Sequence, residues 1–208
     1  MKAIYMLALA ALLSCAAQGP QVWPNGTIPF VLLGMNSDEM NKVFESMYLW
    51  EAASIGRIQF RPANPVGHSE TGILYIVKNE IISGAFGTGY YPDDINILFL
   101  DRFEQRAILH ELGHKIGLEH EHQRPDRDLF ITIDWGRVNP ELVSQFAYRS
   151  PDLYDYAGYS YDYISVMHYG PEETTAIDSH GHPIGSDNIR AVTKTAYFNL
   201  YFAIFSIF

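Results

Sequence analysis

The sequence feature that most constrains this chain is an eleven-residue stretch from His110 to His120 with the pattern H-E-x-x-H-x-x-G-x-x-H. On a helix, His110 and His114 lie one turn apart on the same face, at the separation that two ligands of one zinc ion need. Gly117 can adopt a positive φ, end the helix and let the chain return His120 to the same ion. Glu111 lies beside the first histidine, where it can hold a metal-bound water and act as a general base.

Three neutral imidazoles leave a coordination position open for water, which is typical of a catalytic zinc site rather than a structural one. The pattern H-E-x-x-H alone arises by chance in many helices. The third histidine at a fixed offset, with a glycine between, makes chance an inadequate explanation. The sequence therefore predicts one Zn²⁺ per chain, with His110, His114 and His120 as ligands and Glu111 as the base.

Two downstream segments extend this pattern into a family signature. The first reads E-H-x-R-P-D-R-D over residues 121–128, and the second reads S-V-M-H-Y-G over residues 165–170. With the histidine pattern, they closely resemble the astacin family of metzincin zinc endopeptidases, and the resemblance extends from about residue 22 to about residue 170. It implies that Met167 lies in a tight turn beneath the zinc site. It also implies that Tyr169 is the family tyrosine that can reach the metal and hydrogen-bond the developing oxyanion.

The resemblance also implies the fold. A length of 208 residues suits one domain, and we expect an α+β metzincin protease fold in two lobes. The N-terminal lobe is expected to hold a twisted mixed sheet with helices, and the C-terminal lobe to be irregular, with the active-site cleft between them. The formal net charge of −10 argues against nucleic acid as a partner.

Local patterns before the histidine stretch predict the elements of the first lobe. Asn36 or Ser37 is placed to cap a helix, with Glu39 completing a capping box. Asp101 is predicted to cap the helix that carries the histidines. Apolar or alternating runs predict strands over residues 28–33, 57–61, 73–77 and 95–100. In the family, the strand that corresponds to the last of these edges the cleft and pairs with an extended substrate.

The tripeptide Asn25-Gly26-Thr27 has two interpretations. Together with Pro24 it predicts a turn before the first strand, and this is the preferred interpretation. It is also a sequon for N-linked glycosylation.

The two ends of the chain have their own composition. Residues 1–17 resemble a secretory signal, with Lys2 as the positive start and an apolar run too short to span a membrane. The catalytic domain is then expected over residues 18–208 of a secreted, extracellular protein. Cys15 is the only cysteine, so the mature chain should lack the two disulfides by which animal astacins resemble each other. The tail over residues 196–208 is atypical of the family; its end, residues 201–208, is apolar, and the whole tail is too short to cross a bilayer.

The predicted function is that of a secreted zinc-dependent metalloendopeptidase, which hydrolyses peptide bonds with a zinc-bound water and Glu111. Its partners would be protein or peptide substrates bound in extended form. One alternative is a proteolytically silent binding module with the same fold, although an intact Glu111 argues against it. Another is a surface protein anchored by a lipid on Cys15, because residues 12–15 also fit a bacterial lipoprotein cleavage box.

Overall fold

The computed structural model describes residues 21–64, 72–81, 83–85, 87–150, 159–171 and 189–191. The chain divides into two compact units at the junction between Leu118 and Glu119. The predicted signal with Cys15, and the apolar residues 196–208, lie outside the described residues, so what was predicted of them stays a prediction. Within the described part of the chain, every helix is too short or too polar to cross a membrane.

The N-terminal unit is built on a mixed sheet of five strands. The strands are β1 (Thr27–Leu33), β2 (Gln59–Pro62), β3 (Leu74–Lys78), β4 (Gly84–Ala85) and β5 (Asn96–Leu100). Their order is β2-β1-β3-β5-β4, in which the first four run parallel and β4 runs antiparallel to β5. The predicted mixed sheet is confirmed. The strand predicted over residues 57–61 is β2, which extends one residue further to Pro62, because an edge strand tolerates a residue without an N–H.

Two helices, α1 (Ser37–Ala53) and α2 (Gln105–Ile116), pack on one face of this sheet. Alternate strand side chains meet them in one core, namely Ile28, Phe30, Leu74, Ile76, Leu98 and Leu100. The other alternate positions fill a second cluster, with Tyr75, Val77, Ile97 and Phe99 at its centre. Burial on both faces explains why β3 and β5 are continuous apolar runs in the sequence.

The capping residue was predicted correctly for α1 and wrongly for α2. Asn36 caps α1 in a reciprocal capping box, since its side chain accepts the N–H of Glu39 at 3.0 Å and Glu39 Oε2 accepts the N–H of Asn36 at 2.9 Å. Asp101 does not cap α2. That helix begins only at Gln105, too far along the chain for the Asp101 side chain to reach its first free N–H groups. Asp101 instead bonds Ser83, whose Oγ accepts the Asp101 N–H at 2.8 Å.

The C-terminal unit is largely irregular, as predicted. Its described residues include three 3₁₀ turns, Glu121–Gln123, Arg127–Leu129 and Pro140–Phe146. Two short strands, β6 (Ile131–Ile133) and β7 (Ile189–Ala191), form an antiparallel pair.

Buried arginines stabilise this irregular backbone. Arg124 is 3% exposed, makes a two-pronged bond to Asp126 at 2.9 Å and pairs with Glu121 at 2.8 Å. Arg127 donates to the carbonyl of His122 at 3.0 Å. Backbone that lacks a helix or sheet ladder needs such side-chain partners when it is buried.

Candidate active site

Helix α2 carries the first two predicted zinc ligands on one face. The rings of His110 and His114 lie 4.8 Å apart between centroids and are nearly perpendicular. The helix ends where predicted, at Gly117, which has a φ of 108°. The Leu118 N–H then bonds the Gly113 carbonyl at 2.9 Å, a closure typical of a glycine-terminated helix.

Hydrogen bonds decide which ring nitrogen each histidine offers to a metal. His114 Nδ1 lies 2.9 Å from the carbonyl oxygen of Leu118, which can only accept, so Nδ1 carries the proton. His120 Nδ1 lies 3.0 Å from Gln123 Oε1. The amide of Gln123 is oriented by its own Nε2, which donates to the Gln145 carbonyl at 2.9 Å. Both histidines therefore keep the Nε2 lone pair for a metal ion.

The candidate ligand atoms of His110, His114 and His120 all lie within 4.8 Å of one another. Three imidazole nitrogens suit Zn²⁺ and leave room for water, so the residues present fit the predicted ion. Sequence reasoning missed Gln123 as a partner of His120. Its offset of three residues, within a 3₁₀ turn, is the signal that could have found it.

Glu111 lies on the same helix with one carboxylate oxygen anchored. Its Oε2 accepts the N–H of Ala85 in β4 at 2.8 Å. Burial raises the pKa of Glu111, while the neighbouring His110 and the Ala85 N–H act in the opposite direction. A carboxylate with a raised pKa holds a proton more readily, which suits a general base.

Met167 and Tyr169 lie on a tight turn next to the segment of His120. The turn is closed by the bond from the His168 N–H to the Ser165 carbonyl at 3.0 Å, and Met167 is 2% exposed. The Met167 carbonyl accepts the N–H of Glu121 at 3.1 Å. The Tyr169 ring lies 4.7 Å from the ring of His120. These contacts place the tyrosine beside a ligand, and the role of its hydroxyl stays a prediction.

Comparison with known proteins decides the family. The sequence profile of the Astacin peptidase family matches residues 16–186. The chain belongs to the astacin family.

Relatives of this astacin include the zinc metalloproteinase nas-39 of Caenorhabditis elegans, which is 33% identical over 159 residues. The match covers 75% of this chain and 16% of that protein. The zinc metalloproteinase nas-8 of Steinernema carpocapsae is 34% identical over 149 residues, which are 71% of this chain and 34% of the relative. The chain thus spans at most about a third of the length of these two relatives.

Solved structures share the fold of this astacin. High choriolytic enzyme 1, a hatching enzyme zinc-protease from Oryzias latipes, superposes with a TM-score of 0.67 at 23% identity, covering 84% of this chain and 81% of that one. Myroilysin superposes with a TM-score of 0.55 at 21% identity, covering 86% and 93%. The predicted α+β metzincin fold is confirmed.

One expectation carried over from other astacins needs correction. The strand over residues 95–100 is not the edge of the sheet, because β5 pairs with β3 on one side and with β4 on the other. The edge on this side of the sheet, opposite β2, is formed by β4, which consists of Gly84 and Ala85 alone. A two-residue strand has no periodicity that a sequence pattern could reveal, so its pairing was missed.

Proposed function

We propose that this astacin is a secreted zinc-dependent metalloendopeptidase that cleaves peptide bonds in proteins or peptides bound in extended form. The observation that carries the proposal is the convergence of His110, His114 and His120, whose ligand atoms lie within 4.8 Å of one another, with Glu111 beside the first of them. A purely structural zinc site would have no need of this carboxylate.

The residues of the chain have distinct roles in this reaction. His110, His114 and His120 would hold the zinc ion, which would act as a Lewis acid toward the scissile carbonyl and lower the pKa of water. Glu111 takes the proton from the attacking water at Oε1, since Oε2 already holds the Ala85 N–H. The same carboxyl group then returns the proton to the departing amine.

Substrate alignment is assigned to β4 as the edge of the sheet. An extended peptide that adds to this edge makes backbone hydrogen bonds and needs no particular side chain for them. Because Ala85 of β4 is bonded directly to Glu111 at 2.8 Å, a peptide on this edge runs past the base. A peptide held next to the base favours the function of an endopeptidase over that of a binding module.

Removing the hydroxyl of Tyr169 should slow turnover without weakening zinc or substrate binding. Tyr169→Phe keeps the ring that stacks on His122 at 4.1 Å and removes the hydroxyl that would donate to the developing oxyanion. Loss of one oxyanion donor typically lowers kcat by about 10²–10³-fold, and we expect roughly 10² with KM nearly unchanged. Steady-state kinetics of the zinc-loaded variant measure this, with exposed Tyr159→Phe as the control. An unchanged kcat would remove Tyr169 from the mechanism.

The decisive assay is cleavage of a peptide library by purified, zinc-loaded protein, with and without a chelator. We expect internal cleavage that stops on chelation and returns when zinc is restored. Absence of cleavage by fully zinc-loaded protein would favour the silent binding module. Cleavage that persists without metal would contradict the zinc mechanism.

A further inference from the structure

Lys115 is a buried amine that the proposed chemistry does not use. It follows the ligand His114 on α2, is fully buried, and donates from Nζ to the carbonyl of Gly87 at 2.9 Å. Burial lowers the pKa of this amine to about 7, against the opposing effect of nearby Glu111. Burying an amine costs free energy that an apolar side chain of the same length would avoid. Packing alone therefore does not account for a lysine at this position.

The bond from Lys115 lies between two others that join α2 to the chain at and just after the edge strand. The set links Ala85 N to Glu111 Oε2 at 2.8 Å, Gly87 O to Lys115 Nζ at 2.9 Å, and Gly89 N to His114 O at 2.7 Å. These contacts fall on every second residue of the chain from Ala85 to Gly89, and Lys115 makes the middle one. Of the three helix residues, Lys115 alone is neither a ligand nor the base.

We propose that Lys115 is a positioning residue that holds the edge strand β4 in register with the zinc helix, so that an extended peptide substrate is aligned with Glu111. The inference rests on the proposed peptidase function. Both the ammonium and the neutral amine donate N–H, so the role holds in either protonation state.

Replacing Lys115 by methionine separates positioning from packing. Methionine keeps a long apolar side chain on the helix but cannot donate to Gly87. A merely structural lysine predicts unchanged kinetics and equal or higher thermal stability in Lys115→Met, because the cost of burying the amine is removed. A positioning role predicts the same thermal stability of Lys115→Met as the structural role does. It differs in predicting that the KM for extended peptides rises roughly 2- to 10-fold, which is what one hydrogen bond typically contributes.

Two further variants sharpen this comparison. Lys115→Gln can still donate, although its side chain is shorter, and should fall between wild type and Lys115→Met. Lys42→Met removes an exposed lysine from α1 and should leave KM unchanged. If Lys115→Met does not fold, Lys115→Gln carries the same test. A folded, zinc-loaded Lys115→Met with wild-type KM would overturn the proposal.

Amide hydrogen exchange provides a second readout that needs no activity. Removing the middle bond should speed exchange at Ala85 and Gly89, whose N–H groups make the two flanking bonds, and Lys42→Met should not. Unchanged exchange at both amides would overturn the positioning role. If the wild-type protein cleaves no peptide, the peptidase proposal falls while this measurement still decides what Lys115 does.

A separate observation concerns Asn25-Gly26-Thr27, the only N-x-S/T tripeptide in the sequence. The turn explains the first two residues, because Asn25 has a φ of 55° and a Cβ on Gly26 would lie 1.8 Å from the Arg57 carbonyl oxygen. The turn does not require a hydroxyl at Thr27, which is the first residue of β1 and pairs through its backbone. Among the described residues, neither the exposed Asn25 amide nor the Thr27 hydroxyl has a hydrogen-bond partner.

We infer that Asn25 is the acceptor of an N-linked glycan when the chain enters a eukaryotic secretory pathway. The donor class is a polyprenyl-diphosphate oligosaccharide. A bond forms between Nδ2 and the first sugar carbon, and the bond from that carbon to the diphosphate oxygen breaks. The lipid diphosphate leaves with the electron pair, and the transferase takes the amide proton. An exposed left-handed turn leaves space for the product on the folded surface.

The test is secretion of the full chain from eukaryotic cells, followed by intact mass measurement before and after peptide N-glycosidase. We expect one glycan on wild type and on Thr27→Ser, and none on Thr27→Val or Asn25→Asp. Thr27→Val preserves side-chain shape, and aspartate tolerates the positive φ, so both variants should fold. Secreted wild type without a glycan at Asn25, or a chain that never enters the pathway, would overturn the inference.

Discussion

Glu111→Gln should keep its zinc and its fold, and its rate of peptide hydrolysis should fall by about 10²–10⁴-fold or more. The glutamine oxygen can still accept the Ala85 N–H that Glu111 Oε2 accepts at 2.8 Å, so the edge strand stays attached to α2. The amide cannot take a proton from water at neutral pH. The loss should fall mainly on kcat, because proton transfer belongs to the transition state.

The experiment compares kcat, zinc content and melting temperature of Glu111→Gln with those of Glu104→Gln. Glu104 is an exposed residue at the start of the same helix, and its side chain makes no capping bond. The control removes an equal charge from the same helix and should be nearly neutral. Turnover close to wild type in zinc-loaded Glu111→Gln would mean that another group, or none, acts as base.

His120→Ala should lose most of its zinc at metal concentrations that saturate the wild type, and with it nearly all activity. His120 comes after the helix, so His110 and His114 stay paired on α2 and the fold of that helix is preserved. Two ligands hold zinc far less well than three. Elemental analysis and a competitive chelator titration measure the change, and replacement of all three histidines should abolish binding. One full equivalent of zinc in the triple variant would contradict the ligand assignment.

Gln123→Met should give an intermediate result. Gln123 Oε1 accepts from His120 Nδ1 at 3.0 Å, which sets the tautomer and orientation of the ligand. Loss of such an outer partner typically costs about 10- to 100-fold in metal affinity, less than loss of the ligand itself. Affinity equal to wild type would show that the imidazole is oriented by other contacts.

The sequence predicted those parts of the site that depend on local geometry. Helical periodicity places His110 and His114 on one face, and a glycine at position 117 ends the helix with a φ of 108°. The Asn36 capping box is equally local, because both of its bonds join residues three apart. Such features need only the chain within one or two turns, so the order of residues is enough to predict them.

Tertiary structure alone decided which groups anchor these residues. The edge strand is the two-residue β4 rather than β5, and its Ala85 N–H binds Glu111, 26 residues further along the chain. Asp101, which has the right residue type for a cap, is bonded to Ser83 instead. Lysine is a residue type that usually lies on the surface, yet Lys115 is fully buried and donates to the carbonyl of Gly87. In each case the partner lies in a distant part of the chain. It could not be predicted from the sequence, because every residue has the same backbone N–H and carbonyl groups and no pattern shows which of them the fold will bring near.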